Sequence, residues 1–381
     1  VSGAVGIVGV HQEPYGENYS ESTLEEMVFR ATRRLLEEAG VEREELSNIV
    51  TASSDVTDGR AISNMVMAGS TASYFKDSIN LSSASEHSFL LAAMQIMSGL
   101  RDLTLAISWS KVSESPVDVV QRVASEPYFT RPIGINAMTS YALQASAYEQ
   151  AYGPDRNLIS RVVVKNRRNA LDNPLAHLRE APTLEQVNES APLSWPLTEY
   201  DLPPYSDGVC VLLLASEERA RVFDGPVAWV RGMGWATGGY WMGERDLTKL
   251  PSLEAAAKKA YAMAGIEDPL EQFDAAELHE ASSYNEIMQY EALGFAEYGA
   301  GEELISEGVT LPEGKLPVNR SGGALSSNPA FASGLVQVAE AALQVTGRAG
   351  ERQVEGARRA LATAQQGFAT QGASVVCLEG E

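Results

Sequence analysis

The chain has 381 residues, 44% of them hydrophobic and 21% charged, a composition that belongs to a packed globular protein and excludes a largely disordered one. A formal net charge of −22 argues against a nucleic acid partner, because a phosphate backbone needs a basic footprint. No run approaches the roughly 18 apolar residues of a membrane span, and the first residues lack the basic-then-apolar layout of a signal peptide, so a soluble, cytoplasmic protein with no membrane span is expected.

Residues 4–10 (AVGIVGV) form a short, β-branched, glycine-punctuated run that fits a buried strand. Ser22 and Thr23 precede apolar residues at Leu24, Met27, Val28, Ala31, Leu35 and Leu36, spaced for one helical face. Strands are predicted next at 48–52, 78–81 and 103–108, with helices over 61–73 and 84–98. After Asp207 the alternation resumes, with strands at 209–215, 227–232, 275–279 and 375–378 and helices over 252–264, 285–293 and 330–345. Strands alternating with helices predict a mainly parallel, helix-covered sheet.

Single cores stop growing at about 250–300 residues, so a chain of this length invites a search for two similar halves. Thr23-Leu24-Glu25 leads through a helix to Ala39-Gly40-Val41-Glu42, and Ser252-Leu253-Glu254 leads likewise to Ala264-Gly265-Ile266-Glu267. In both copies the glycine falls where a helix should stop, and their positions at the start of two halves point to duplication. The chain divides accordingly into a first half, 1–112, an insertion, 113–204, and a second half, 205–381. The insertion is rich in Pro, Asn, Tyr and Arg with weak periodicity. Long insertions of this kind form lids or binding loops, so substrate selection is expected there. The two cysteines, Cys210 and Cys377, sit inside apolar runs and read as strand packing rather than as nucleophiles or a disulfide.

Three stretches follow one another in a telling order. The first is Val164-Lys165-Asn166-Arg167-Arg168-Asn169-Ala170 with Asn173-Pro174 and Ala176-His177. The second is Pro196-Leu197-Thr198 and Ser206-Asp207-Gly208 ahead of an apolar strand ending Ala215-Ser216-Glu217, and the third is Glu277-Leu278-His279-Glu280-Ala281, with 319–323 behind it. Each is weak alone, but the ordered set resembles the thiolase superfamily, in its archaeal and sterol-carrier-protein-type branch. The resemblance implies an α/β, thiolase-like duplicated αβαβα five-layer fold with a loop-domain insertion in the first half. Such proteins are usually dimeric through that half, and the fold does not settle the reaction.

Thiolases of this branch place a nucleophilic cysteine at a helix start after the third strand, where the helix dipole and backbone N–H groups favour a thiolate and receive an oxyanion. In this chain 79–87 reads INLSSASEH, and alignment puts Ser83 on that position. A serine needs an adjacent base. The family's base is a histidine opening the matching helix of the second half. Asn328 stands there, after Gly322-Gly323-Ala324, and does not accept a proton. The resemblance therefore implies a member lacking both parts of the covalent pair.

By the same resemblance His279 helps to bind a thioester or enolate oxygen, its bland alternative being a histidine hydrogen-bonded at a strand end. Titratable groups lie beside these positions in sequence: Glu86 and His87 after Ser83, and Glu280 and Tyr284 after His279. Any of them is a candidate for proton transfer. Equally, Glu86 suits a helix N-terminus, His87 a core or interface, and Tyr284 interface packing. Gly322, Gly323 and Gly372 either line the reaction centre or are ordinary turn glycines.

The expected function is a thiolase-superfamily enzyme that makes or breaks a carbon–carbon bond in an acyl-CoA without a cysteine acyl-enzyme. The leading form is retro-aldol, as in the cysteine-lacking steroid side-chain aldolases of the superfamily. One alternative is an acyl-CoA C-acyltransferase that uses Ser83 or a partner subunit, and a further one is a catalytically silent scaffold subunit. No bound cofactor is expected, coenzyme A entering as part of the substrate. No metal site is expected either, since His11, His87, His177 and His279 show no ligand spacing. A homodimer is expected, and the resemblance makes a small zinc-ribbon/OB-fold partner protein plausible.

Overall fold

The computed structural model describes residues 3–381. Apolar, β-branched runs become the strands β1 (Val5–Gln12), β2 (Asn48–Ala52), β3 (Asp77–Leu81), β4 (Leu103–Ser110), β5 (Gly208–Ser216), β6 (Ala228–Thr237), β7 (Ala275–Glu277), β8 (Arg359–Gln366) and β9 (Gly372–Glu379). The longer helices are α1 (Leu24–Ala39), α2 (Glu86–Met97), α3 (Val117–Ala124), α4 (Ala137–Tyr152), α5 (Arg156–Asn169), α6 (Pro251–Ala264), α7 (Ser283–Ala292) and α8 (Ser333–Val345). Thr23 caps α1 with a reciprocal bond to Glu26. The repeated glycines end α1 and α6 in left-handed conformations, Gly40 at φ 63 and Gly265 at φ 68.

The nine strands run in the order β3-β2-β4-β5-β1-β6-β9-β8-β7. Val318 bridges Ala276 of β7 in parallel at the far edge. Each half therefore repeats one order: third, second, fourth, fifth and first strand of that half. The halves meet at a short antiparallel seam, Gly6 with Trp229 and Ile7 with Ala228. Duplication is thus visible in topology as well as in the two helix ends.

Three cores separate five layers. Residues of alternating parity on β5 face opposite ways, Leu212 and Leu214 inward and Val211 and Leu213 outward. The inner core joins them to Phe89 and Leu90 of α2, Leu335 and Val338 of α8, and Val376 and Leu378 of β9. The outer face of the first half packs Leu24, Val28 and Leu35 of α1. Its counterpart in the second half packs Leu253 and Ala256 of α6, Ile287 of α7, and Ile159 and Val162 of α5. Helices α2 and α8 thus form the middle layer, and their starts are brought together.

Two expectations are corrected. The sheet is mixed rather than mainly parallel: β2 pairs in parallel with β3 and β4, but β5 lies antiparallel to both β4 and β1. Strand β5, which follows the insertion, pairs with β4 and β1 and so lies among the strands of the first half. The helix expected over 61–73 shortens to the single turn Ser63–Val66. Ala72 and Phe75 adopt positive φ just after it, and the intervening Gly69, Ser70 and Thr71 are weak helix formers. Among the described residues no helix is long and apolar enough to cross a membrane.

Candidate active site

The middle-layer helices set the site. The first residues of α2 and α8 approach head to head, and Ser85 Oγ accepts the Leu335 N–H at 2.8 Å, which ties the two starts together. A cavity of about 630 Å³ opens beside them. It is lined by Ser83 and Ala84 before α2, by Asn328, Phe331 and Gly334 before and at the start of α8, and by His279 and 365–367 of the second half. Most of the remaining wall comes from the insertion, including Asp118, Tyr141, Arg167 and Glu199, with Tyr205 just past its end. Of the residues singled out in the sequence, Ser83, His279 and Asn328 share this cavity.

Ser83 has no base beside it. Its Oγ donates to Gln366 Oε1 at 3.2 Å, and the Ala84 N–H donates to the same oxygen at 3.1 Å. An amide oxygen does not take a proton at working pH. Asn328 faces away from proton chemistry too, its Oδ1 accepting the Ser333 hydroxyl at 2.6 Å. Cys210 and Cys377 are buried on β5 and β9 and do not line the cavity.

His279 follows β7 and is held by its backbone: its N–H donates to Thr363 Oγ1 at 3.1 Å, and its carbonyl accepts Gln289 Nε2 at 3.0 Å. The ring Nδ1 accepts the Gln365 N–H at 3.2 Å, which leaves the ring proton on Nε2. Burial pushes its pKa down to about 4, against an opposing pull from the Glu86 carboxylate. The ring is therefore a neutral donor at neutral pH, suited to an oxygen on which negative charge develops.

The other titratable candidates lie elsewhere. His87 does not line the cavity; its Nδ1 lies 3.0 Å from Glu86 Oε1. Burial lowers the His87 pKa, but the close approach of the Glu86 carboxylate outweighs it, so His87 stands above the usual histidine value. Glu86 is fully buried, and neither carboxylate oxygen has a well-aligned hydrogen-bond partner. We take the His87 approach as a close charge contact rather than a directed bond, since distance without alignment contributes little direction.

Glu280 is buried beneath the cavity, not in it. It accepts from Asn166 Nδ2 at 3.0 Å, Asn319 Nδ2 at 3.1 Å and the Leu325 N–H at 2.9 Å. Asn166 and Asn319 also donate to Glu286 at 2.6 and 2.9 Å, and Lys165 Nζ meets Glu286 at 2.9 Å. Burial first, and then the Glu286 charge, push Glu280 up to about 8. Gly323, at φ 64, packs so closely on Glu280 Oε1 that a Cβ there would overlap it. Gly322, at φ 98, packs on Ala170 in the same way, with 2.7 Å to that Cβ. Both glycines let a supporting loop close over the carboxylate, and neither lines the cavity.

Tyr284 lies outside the cavity as well. Its hydroxyl donates to Glu149 Oε1 at 2.5 Å, under the Arg156 guanidinium, whose Cζ lies 6.0 Å from the ring centroid. Burial and that carboxylate push its phenol well above the usual tyrosine value. Gly372 acts through a neighbour: a Cβ there would stand 2.9 Å from Gln366 Cγ, so its bareness makes room for the side chain that holds Ser83. Sequence reasoning missed Gln366 itself, along with Tyr141, Tyr205 and Arg167 as cavity residues. The tyrosine- and arginine-rich texture of 113–204 was the only signal for Tyr141 and Arg167, and Tyr205 lies just beyond it.

Comparisons with known proteins bear on the family and the fold. Residues 237–379 match the family described as thiolase C-terminal domain-like. The acetyl-CoA acetyltransferase of Methanothermobacter thermautotrophicus is 30% identical over 370 residues, covering 93% of this chain and 94% of that one. The solved structure of an Ltp2-ChsH2(DUF35) aldolase superposes with a TM-score of 0.86 at 24% identity, over 99% of this chain and 98% of that chain. Human mitochondrial 3-ketoacyl-CoA thiolase superposes with a TM-score of 0.74 at 14% identity, over 100% of this chain and 99% of that chain.

Proposed function

Because the chain belongs to the thiolase superfamily, we propose that it cleaves a carbon–carbon bond in a β-hydroxyacyl-CoA by a retro-aldol step that passes through no acyl-enzyme. The observation that carries this reading is the pairing of Ser83 with the Gln366 amide in a cavity that also holds a neutral His279. A transferase that acylates Ser83 needs a base within hydrogen-bond reach of Oγ, and His87 is turned to Glu86. A retro-aldol cleavage needs no base at Ser83. A base takes the β-hydroxyl proton, the Cα–Cβ bond breaks, the β-carbon becomes a carbonyl, and the electron pair is held as a thioester enolate until Cα is protonated. His279 Nε2–H donates to the enolate oxygen. The Asp118 and Glu199 carboxylates on the insertion wall supply the proton acceptor, whereas burial raises the Tyr141 and Tyr205 phenols and keeps them protonated. The fold shared with an aldolase structure supports the reading, and the pairing of Ltp2 with ChsH2(DUF35) in that structure supports a small partner subunit here.

Similarity to an acetyl-CoA acetyltransferase along nearly the whole chain favours a second reading, acyl transfer. One experiment separates the two. The protein is incubated with acetyl-CoA and, separately, with β-hydroxyacyl-CoAs, then followed by intact mass and by product analysis. The aldolase reading expects an unchanged mass and ketone or aldehyde release that falls at least a hundredfold in His279→Ala, the effect of removing an oxyanion donor being about 10²–10³. An acetyl adduct on Ser83 overturns it in favour of acyl transfer, and no turnover of any thioester overturns both.

A further inference from the structure

Buried cations in this protein have carboxylate partners, with one exception. Among the described residues, Lys111, Lys165, Arg320 and Arg352 are buried and meet Glu114, Glu286, Asp172 and Glu340. Arg167 is 7% exposed, yet its Nε has no hydrogen-bond partner and no ion pair engages its guanidinium. It lies near the end of α5 in the wall of the reaction cavity, on the insertion side. A guanidinium withdrawn from water without a partner is costly unless something arrives to pair it.

We propose that Arg167 is the docking point for a carboxylate on the acyl part of the substrate, so that the enzyme acts on the CoA thioester of a dicarboxylic acid. This rests on the acyl-CoA reading above and narrows it. A planar guanidinium engages a carboxylate through two parallel N–H donors, and Arg167 lines the cavity with its Nε unpaired. Asp118 and Glu199 line the same cavity and repel an anion placed anywhere but at Arg167, which fixes the orientation of the acyl chain. Burial lowers the Arg167 pKa, and a bound carboxylate offsets that cost. A phosphate of coenzyme A is the other oxyanion that fits a guanidinium. A cavity of about 630 Å³ suits a small-molecule-sized body, which favours the acyl part together with the thioester over the nucleotide.

The test is calorimetric titration of the full chain with thioesters matched in length: glutaryl-CoA against valeryl-CoA, adipyl-CoA against hexanoyl-CoA, with free coenzyme A as a reference. Wild-type protein should prefer the dicarboxylic thioester of at least one pair by roughly 10- to 100-fold, the worth of a buried charge-assisted bond. Arg167→Met should bring that ratio close to one, and Arg167→Lys should keep part of it, since the charge stays but the fork is lost. Equal affinity for both members of every pair in wild type overturns the proposal, and that measurement needs no variant to fold. A uniform loss in Arg167→Met for coenzyme A and all thioesters alike assigns the guanidinium to a phosphate and also overturns it. If coenzyme A and its esters bind but no dicarboxylic preference exists, only the carboxylate assignment fails. If none of them binds, the acyl-CoA reading fails with it.

Discussion

Replacing Gly334 by alanine should loosen the joint between α2 and α8, although alanine is the better helix residue. Gly334 is the second residue of α8. A Cβ built there overlaps Glu86 Oε2 and stands 2.8 Å from Ala364 Cβ. On helix propensity alone the exchange would stabilise by about 1 kcal/mol. Overpacking a closed site costs about 1–3 kcal/mol, and Glu86, fully buried, has no solvent to retreat into. The net expectation is a loss of up to about 2 kcal/mol. Because Glu86 provides one of the two clashes, the same exchange in a Glu86→Ala background should cost at least about 1 kcal/mol less, within the usual coupling of touching residues. Urea unfolding of the four proteins of the cycle, compared at constant slope, measures this. A gain in stability for Gly334→Ala alone, or an equal cost in both backgrounds, would refute the placement of Glu86 against the start of α8.

Two further outcomes follow from buried carboxyls and phenols. Glu280 is raised from 4.5 to about 8, so the folded protein holds a proton that the unfolded chain releases. Its contribution is fully present below about pH 4.5 and is lost as pH rises through about 8, and over that span it amounts to a few kcal/mol at about 1.4 kcal/mol per unit. Urea midpoints for wild type should therefore fall between pH 5 and pH 9 more steeply than those of Glu280→Gln, and parallel profiles would count against the protonated carboxyl. Tyr284→Phe removes the bond to Glu149 and should cost about 1 kcal/mol of stability. Thioester cleavage should stay within about twofold of wild type, because the hydroxyl lies outside the cavity; a loss of activity at unchanged stability would place it inside.

How far the sequence could be read depends on how local the signal is. Strand β2 and both glycine-terminated helices, α1 and α6, were legible because a β-branched run, a cap and a left-handed stop are local features. Strand β8 was not: RALATAQQ is alanine- and glutamine-rich, with low intrinsic strand preference, and becomes a strand because β7 and β9 flank it. The antiparallel entry of β5 was equally hidden, since pairing partners some hundred or more residues away set strand direction.

By itself the sequence determined the superfamily, the duplicated α/β plan, and Ser83, Asn328 and His279 as residues of interest. Each rests on short stretches whose order in the chain carries the information. Only the tertiary structure decided which neighbours in sequence are neighbours in the site. Glu280 and Tyr284 lie one and five positions beyond His279, yet the turn into α7 sends their side chains to a buried amide network and to Glu149. Gln366 and Arg167 reach the cavity from positions about two hundred residues apart in the chain. Side-chain direction is fixed by packing of whole layers, and no spacing along the chain encodes it.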